Sequence, residues 1–213
     1  MKSSIKKNCL LGLVIGTLSI SNSTAFATTF LGSTTLSNKS YSEDITVHGS
    51  FTGNNIQAKS VTVNGSLKLN NSDLNGSLEV KGSAELANVK ISDSISTSGS
   101  ARFKNVTAKD LDARGSLDLN NSTVANVTFR GDGAVLFDSK TKNITITSSN
   151  DQVVIRLVGK TTIDGLLTFA NNNGVVIVSN GTTITKGIVG GKLKKEEAAP
   201  QIGPIVNGKE IKK

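Results

Sequence analysis

From Ile45 to Asn143 the chain repeats one unit of 16 or 17 residues six times, and this periodicity constrains the fold more than any other feature. The successive segments are ITVHGSFTGNNIQAKS, VTVNGSLKLNNSDLNGS, LEVKGSAELANVKISDS, ISTSGSARFKNVTAKD, LDARGSLDLNNSTVAN and VTFRGDGAVLFDSKTKN. Glycine fills the fifth position as Gly49, Gly65, Gly82, Gly99, Gly115 and Gly131. Serine follows at Ser50, Ser66, Ser83, Ser100 and Ser116, with Asp132 in the last unit. The eleventh position is Asn55, Asn71, Asn88, Asn105 and Asn121, and the run stops at Phe137.

Apolar residues fall mainly at positions 1, 3, 7, 9 and 14 of each unit, as in Val61, Val63, Leu67, Leu69 and Leu74. That is a period of two, interrupted at the Gly-Ser and Asn positions, and it predicts strand, turn, strand, turn, strand, turn. A helical repeat would need spacings of three and four over ten or more residues, and recurrent glycine would cut each helix short. One unit is too short to bury its own apolar face. Stacked at about 4.8 Å, equivalent residues lie above one another and form a continuous core. The expected fold is all-β, a single-stranded parallel β-helix of three-sided coils. Glycine would supply the φ or the close approach that a tight corner needs. Asparagine can take a left-handed turn and hydrogen-bond its amide to the copies above and below. Gly and Asn are therefore read as structural turn and ladder residues.

The eighth position carries Thr52, Lys68, Glu85, Arg102, Asp118 and Ala134. Its sign alternates from Lys68 to Asp118, which predicts outward ion pairs between neighbouring coils, each worth about 0 to 1 kcal/mol when exposed. Beyond Asn143 the pattern loosens. VVIRLVGKTTIDG from Val153 resembles VVIVSNGTTITKG from Val175, so the coils are expected to widen to about 22 residues and continue. The predicted boundaries are an irregular first coil or cap over 28–44, a β-helix over 45–190 and a flexible basic tail over 191–213.

Residues 1–27 carry Lys2, Lys6 and Lys7, an apolar stretch from Cys9 to Ile20, and Ala25-Phe26-Ala27 in the small-x-small pattern of a signal-peptidase site. This predicts a cleaved secretory leader, the apolar stretch falling short of the about 20 residues that span a bilayer. Cys9 lies inside the leader, so the exported chain would carry no cysteine for a disulfide, a thiolate metal site or a nucleophile.

The net charge of +8 is concentrated at the ends. Leader and tail each contribute +3, while residues 28–191 hold 15 basic against 13 acidic residues. A nearly neutral body with few aromatics argues against a nucleic-acid partner, which would ask for a basic stripe or stacking platforms.

The VxVxGSLxLxN coils resemble those of the bactofilin family over residues 45–143. That resemblance implies a short right-handed β-helix that assembles end to end into filaments without nucleotide. Bactofilins are typically cytoplasmic. The leader and the lengthening C-terminal coils depart from that pattern, so the resemblance bears on fold more than on a cytoskeletal role.

Few residues suggest chemistry. His48, the sole histidine, occupies the solvent-facing fourth position and lacks the further ligands that a metal needs. Asp110, Asp112 and Arg114 form the densest charged group, which some β-helix polysaccharide lyases and hydrolases would use; turns of two or three residues leave little to build a cleft. No catalytic, cofactor-binding or metal-binding residue is assigned, and no cofactor is expected. The sequence points to an exported, non-enzymatic, self-assembling scaffold of the bacterial periplasm, cell surface or exterior. An adhesin or glycan-binding module is the alternative, and a polysaccharide-degrading enzyme ranks third. The partners expected are further copies of the chain, a cell-wall or host glycan, or another envelope protein, with no transmembrane span.

Overall fold

Ten residues stand one above another in a single parallel register: Thr28, Ile45, Val61, Leu78, Ile95, Leu111, Val127, Ile144, Leu167 and Ile188. Each opens one coil, and the ordinal numbers used below count coils from Thr28. The computed structural model describes residues 27–196, in which twenty-one strands and no helix form a parallel β-solenoid. Residues 1–26 of the leader, Cys9 included, and the tail from residue 197 onward lie outside the described residues.

Every coil has three flanks. The first holds short strands such as Val61–Val63, the second starts after the Gly-Ser corner, and the third follows the asparagine. Second and third flanks share one bent strand, as in Leu67–Leu74. The bend comes from asparagine in the left-handed region: Asn55, Asn71, Asn88, Asn105 and Asn121 have φ between 46° and 56°. A side chain inverts its inside-outside alternation there, so Leu69 and Ser72 both point inward across Asn70 and Asn71. Asparagine tolerates that conformation better than other L-residues because its short amide finds local partners.

The column glycines serve mainly close approach. A Cβ on Gly82 would sit 2.6 Å from the carbonyl oxygen of Gly65 in the coil below. Of the six, only Gly49 and Gly115 have positive φ in the left-handed range.

The core is continuous along the axis, with Phe51, Phe103, Phe129 and Phe169 among its largest fully buried side chains. Ser72, Ser122, Ser139 and Thr161 also point inward, at the position that Ile56, Val89 and Val106 hold in other coils. Each hydroxyl compensates for the broken ladder at the left-handed corner. Ser122 Oγ accepts the Val106 N–H at 3.0 Å and donates to the Asn120 carbonyl at 2.8 Å. Burying a hydroxyl is tolerated when it is bonded in this way.

Four expectations need correction. Residues 28–44 are a regular coil: Ala27–Leu31 pairs with Asp44–His48 and Thr34–Ser40 with Phe51–Ala58, both parallel. Asn38, with φ 55°, begins the asparagine column. At the other end the solenoid runs past residue 190, because Gly191–Lys195 pairs with Gly174–Val178. In the seventh coil one extra residue at Asp132-Gly133 shifts the register. Ala134 lies over Leu117 inside, Val135 takes the eighth-position column over Asp118, and Asp138 (φ 46°) takes the left-handed corner that the sequence alignment assigned to Phe137. Finally, the coils do widen to about 22 residues, with Ile144 to Leu167 spanning 23 and Leu167 to Ile188 spanning 21, but the VVI alignment slides by one and sets Val154 over Val175.

The wider coils owe most of their length to the Gly-Ser corner. Thr147 to Val153 spans a turn that in the coil before is a single step from Arg130 through Gly131 to Asp132. The glycine column ends there, since an open loop no longer requires backbone against backbone.

Candidate functional site

The Gly-Ser corner and the second flank together enclose a shallow groove of about 420 Å³ that runs along the axis. One wall is the serine column Ser50, Ser66, Ser83, Ser100 and Ser116; the other is Thr52, Lys68, Glu85, Arg102 and Asp118. Phe51, Leu67, Ala84 and Ala101, whose side chains turn into the core, lie along the floor. Ser116 Oγ donates to Ser100 Oγ at 2.9 Å. Such a groove offers one hydroxyl per coil to an extended polar chain.

Its charged wall is in part self-satisfied. Lys68 Nζ lies 3.1 Å from Glu85 Oε1. Arg102 stands in register between Glu85 and Asp118 but reaches neither within ion-pair distance among the described residues. Glu85 and Asp118 are thus two coils apart, with a guanidinium between them.

The asparagine ladder is present. Asn55 Nδ2 donates to Asn38 Oδ1 at 2.8 Å, Asn88 to Asn71 at 2.9 Å, Asn105 to Asn88 at 2.7 Å and Asn121 to Asn105 at 2.7 Å. Asn71 instead donates to Asn54 Oδ1 at 3.2 Å. A second ladder at the third corner was not anticipated: Asn126 Nδ2 donates to Asp110 Oδ1 at 2.8 Å and Asn143 to Asn126 at 3.1 Å. Its trace in the sequence is the Asp or Asn closing three successive units at Asp110, Asn126 and Asn143.

Asp110, Asp112 and Arg114 share the outward side of the strand Ala101–Arg114. Asp110 is taken by Asn126, and Asp112 Oδ1 accepts Arg130 NH1 at 3.1 Å. Arg114 lies in register with Arg130. His48 Nδ1 is 2.8 Å from Asn64 Nδ2 on the exposed first flank. The described residues contain no group of three or more metal-ligating side chains, and no helix among them is long and apolar enough to cross a membrane. In the first coil, partial burial raises the Tyr41 hydroxyl above its ordinary pKa, and the ring packs against the core.

Two further surfaces stand out. At the ends, Phe30, Leu36 and Tyr41 in the first coil and Ile184 and Ile188 near the last are only partly buried, and Leu193 is 53% exposed. On the second flank of the later coils, Val135 and Phe137 are 39% and 41% exposed. The strands Val153–Val158 and Gly174–Val178 beside them carry apolar residues on both faces, with Arg156 the one charged outward residue.

Fold and surface define the class of this protein as a parallel β-solenoid with short corners. No family model matches the chain, and no curated protein or solved structure does.

Proposed function

We propose that this chain is an exported structural scaffold that assembles by stacking solenoid ends. The observation that carries this reading is the state of the two ends. The first and last described coils keep the parallel register of the interior, and among the described residues no further strand pairs with the outer edge of either, which leaves a ladder edge beside an apolar cross-section. Edges of this kind template pairing with another chain. Stacking one end on another would continue the ladder at the same spacing and bury Leu36, Tyr41, Ile188 and Leu193.

Export rests on the leader pattern in residues 1–27. The likeness of the coils to bactofilins supports the same mode of assembly. The serine groove is where a glycan-binding role would be seated, but Lys68 and Glu85 on its wall already satisfy each other.

Electron microscopy and light scattering of the purified protein test the scaffold reading. Filaments or defined end-to-end oligomers are expected, and Leu36→Lys, which places a charge in one end, should abolish them while leaving the circular dichroism of the solenoid unchanged. A strict monomer at high concentration would refute it.

A further inference from the structure

We infer that the second flank of the later coils is a docking surface for a second copy of this chain, packed side by side with its axis reversed. This pairing needs no contact between ends and is independent of end-to-end stacking.

One outward column runs Asp118, Val135, Arg156, Ile177, Lys194, each residue in register with the next. Beside it run Phe137 and Val158, also in register. The exposed positions of a parallel strand with one solvent face are ordinarily polar, as Thr52, Lys68, Glu85 and Arg102 are in the earlier coils of the same flank. Here the apolar middle of the column is bracketed by an acid below and a base above, and neither has an ion-pair partner among the described residues.

That order is self-complementary under one operation only. A twofold axis lying along the strands at the level of Arg156 reverses the column. Lys194 then faces Asp118 of the second copy, Ile177 faces Val135, and Val158 faces its own equivalent. Arg156 meets its counterpart with each guanidinium already held by a carboxylate, since Arg156 NH1 lies 2.7 Å from Glu196 Oε1. A twofold along the solenoid axis would instead set Lys194 against Lys194 and Asp118 against Asp118. Isologous contacts of the first kind close into a dimer.

The patch is small. Five strands at about 4.8 Å by about five residues at about 3.3 Å give a footprint near 400 Å², about half of the 800 Å² per partner of a standard stable interface. The isolated pair is therefore weak. Solenoids stacked in a row would repeat it and gain by avidity.

Sedimentation equilibrium of the full protein carrying Leu36→Lys, which silences the ends, tests the pairing. A monomer-dimer equilibrium is expected. Lys194→Asp should weaken it about tenfold by creating two like-charge contacts, and adding Asp118→Lys to Lys194→Asp should restore it. Val158→Cys should form a disulfide-linked dimer under mild oxidation, whereas Thr46→Cys on the first flank should not. The inference is overturned if the protein is monomeric throughout, if Lys194→Asp leaves dimerisation unchanged, or if the double charge swap fails to rescue it. It is also overturned if monomers instead sediment with anionic phospholipid vesicles through this flank. Absence of filaments in the unsubstituted protein, with the pair retained, would count against the end-stacking reading alone.

Discussion

Asn88 shows how much one side chain contributes to this fold. Its backbone adopts φ 56°, its Nδ2 donates to Asn71 Oδ1, and its Oδ1 accepts from Asn105 Nδ2. Alanine there would incur about 1–2 kcal/mol for the left-handed conformation. It would also lose two hydrogen bonds at about 0.5–1.5 kcal/mol each. Urea denaturation should therefore show Asn88→Ala destabilised by about 2–5 kcal/mol. Asn88→Gly, which accepts the backbone angle, should lose only about the ladder share. The column from Asn55 to Asn121 was legible because identity repeated with length. Asn38 and Asp138 were missed for different reasons. Asn38 lies 17 residues before Asn55 in a stretch with poor apolar alternation, and Asp138 replaces the amide after an inserted residue.

At the level of strands, legibility depended on whether the two faces differ. Leu67–Leu74 alternates buried and exposed on either side of its corner, and a one-residue slip would send its core side chains to solvent. The strands Val153–Val158 and Gly174–Val178 carry apolar residues on both faces, so sequence similarity could slide by one residue without penalty. The same two-sidedness made the outward Val135 and Phe137 invisible as a surface. The inward position after each corner was hidden as well, because Ser72 and Ser122 look polar yet are buried. Ser122→Ala would leave the buried Val106 N–H without its acceptor, an expected loss of about 1–3 kcal/mol in thermal or chemical unfolding. Ser122→Thr should recover most of it, since Thr161 fills the equivalent place two coils on and accepts the Ser139 N–H at 3.3 Å.

Over the whole molecule, each coil touches chiefly its neighbours, so stability is a sum of coil and interface terms. Removing Leu78 through Asp110 excises two complete coils and joins Ser77 to Leu111 in register, setting Lys68 over Asp118. Circular dichroism and calorimetry should show a shorter, cooperatively folded solenoid. Removing Leu78 through Glu85 takes out part of a coil, misaligns every later flank, and should abolish the cooperative transition. The fold class, the three-sided coil and the continuous core were legible because stacking turns a linear period into a spatial one. The extent of the stack was not, since the first and last described coils relax the apolar pattern that betrays the others.

All five amides of the asparagine column donate in the same sense, each toward the coil nearer the N-terminus. Their bond dipoles therefore add head to tail, as peptide dipoles do in a helix, and leave a partial positive pole beside Asn38 and a negative one beyond Asn121. Asp138, which has the left-handed corner but no N–H to give, stands at that negative pole and ends the series. The rod is thus vectorial in its electrostatics as well as in its chain direction, and a neighbour laid alongside with its axis reversed would cancel the field that a parallel neighbour would double.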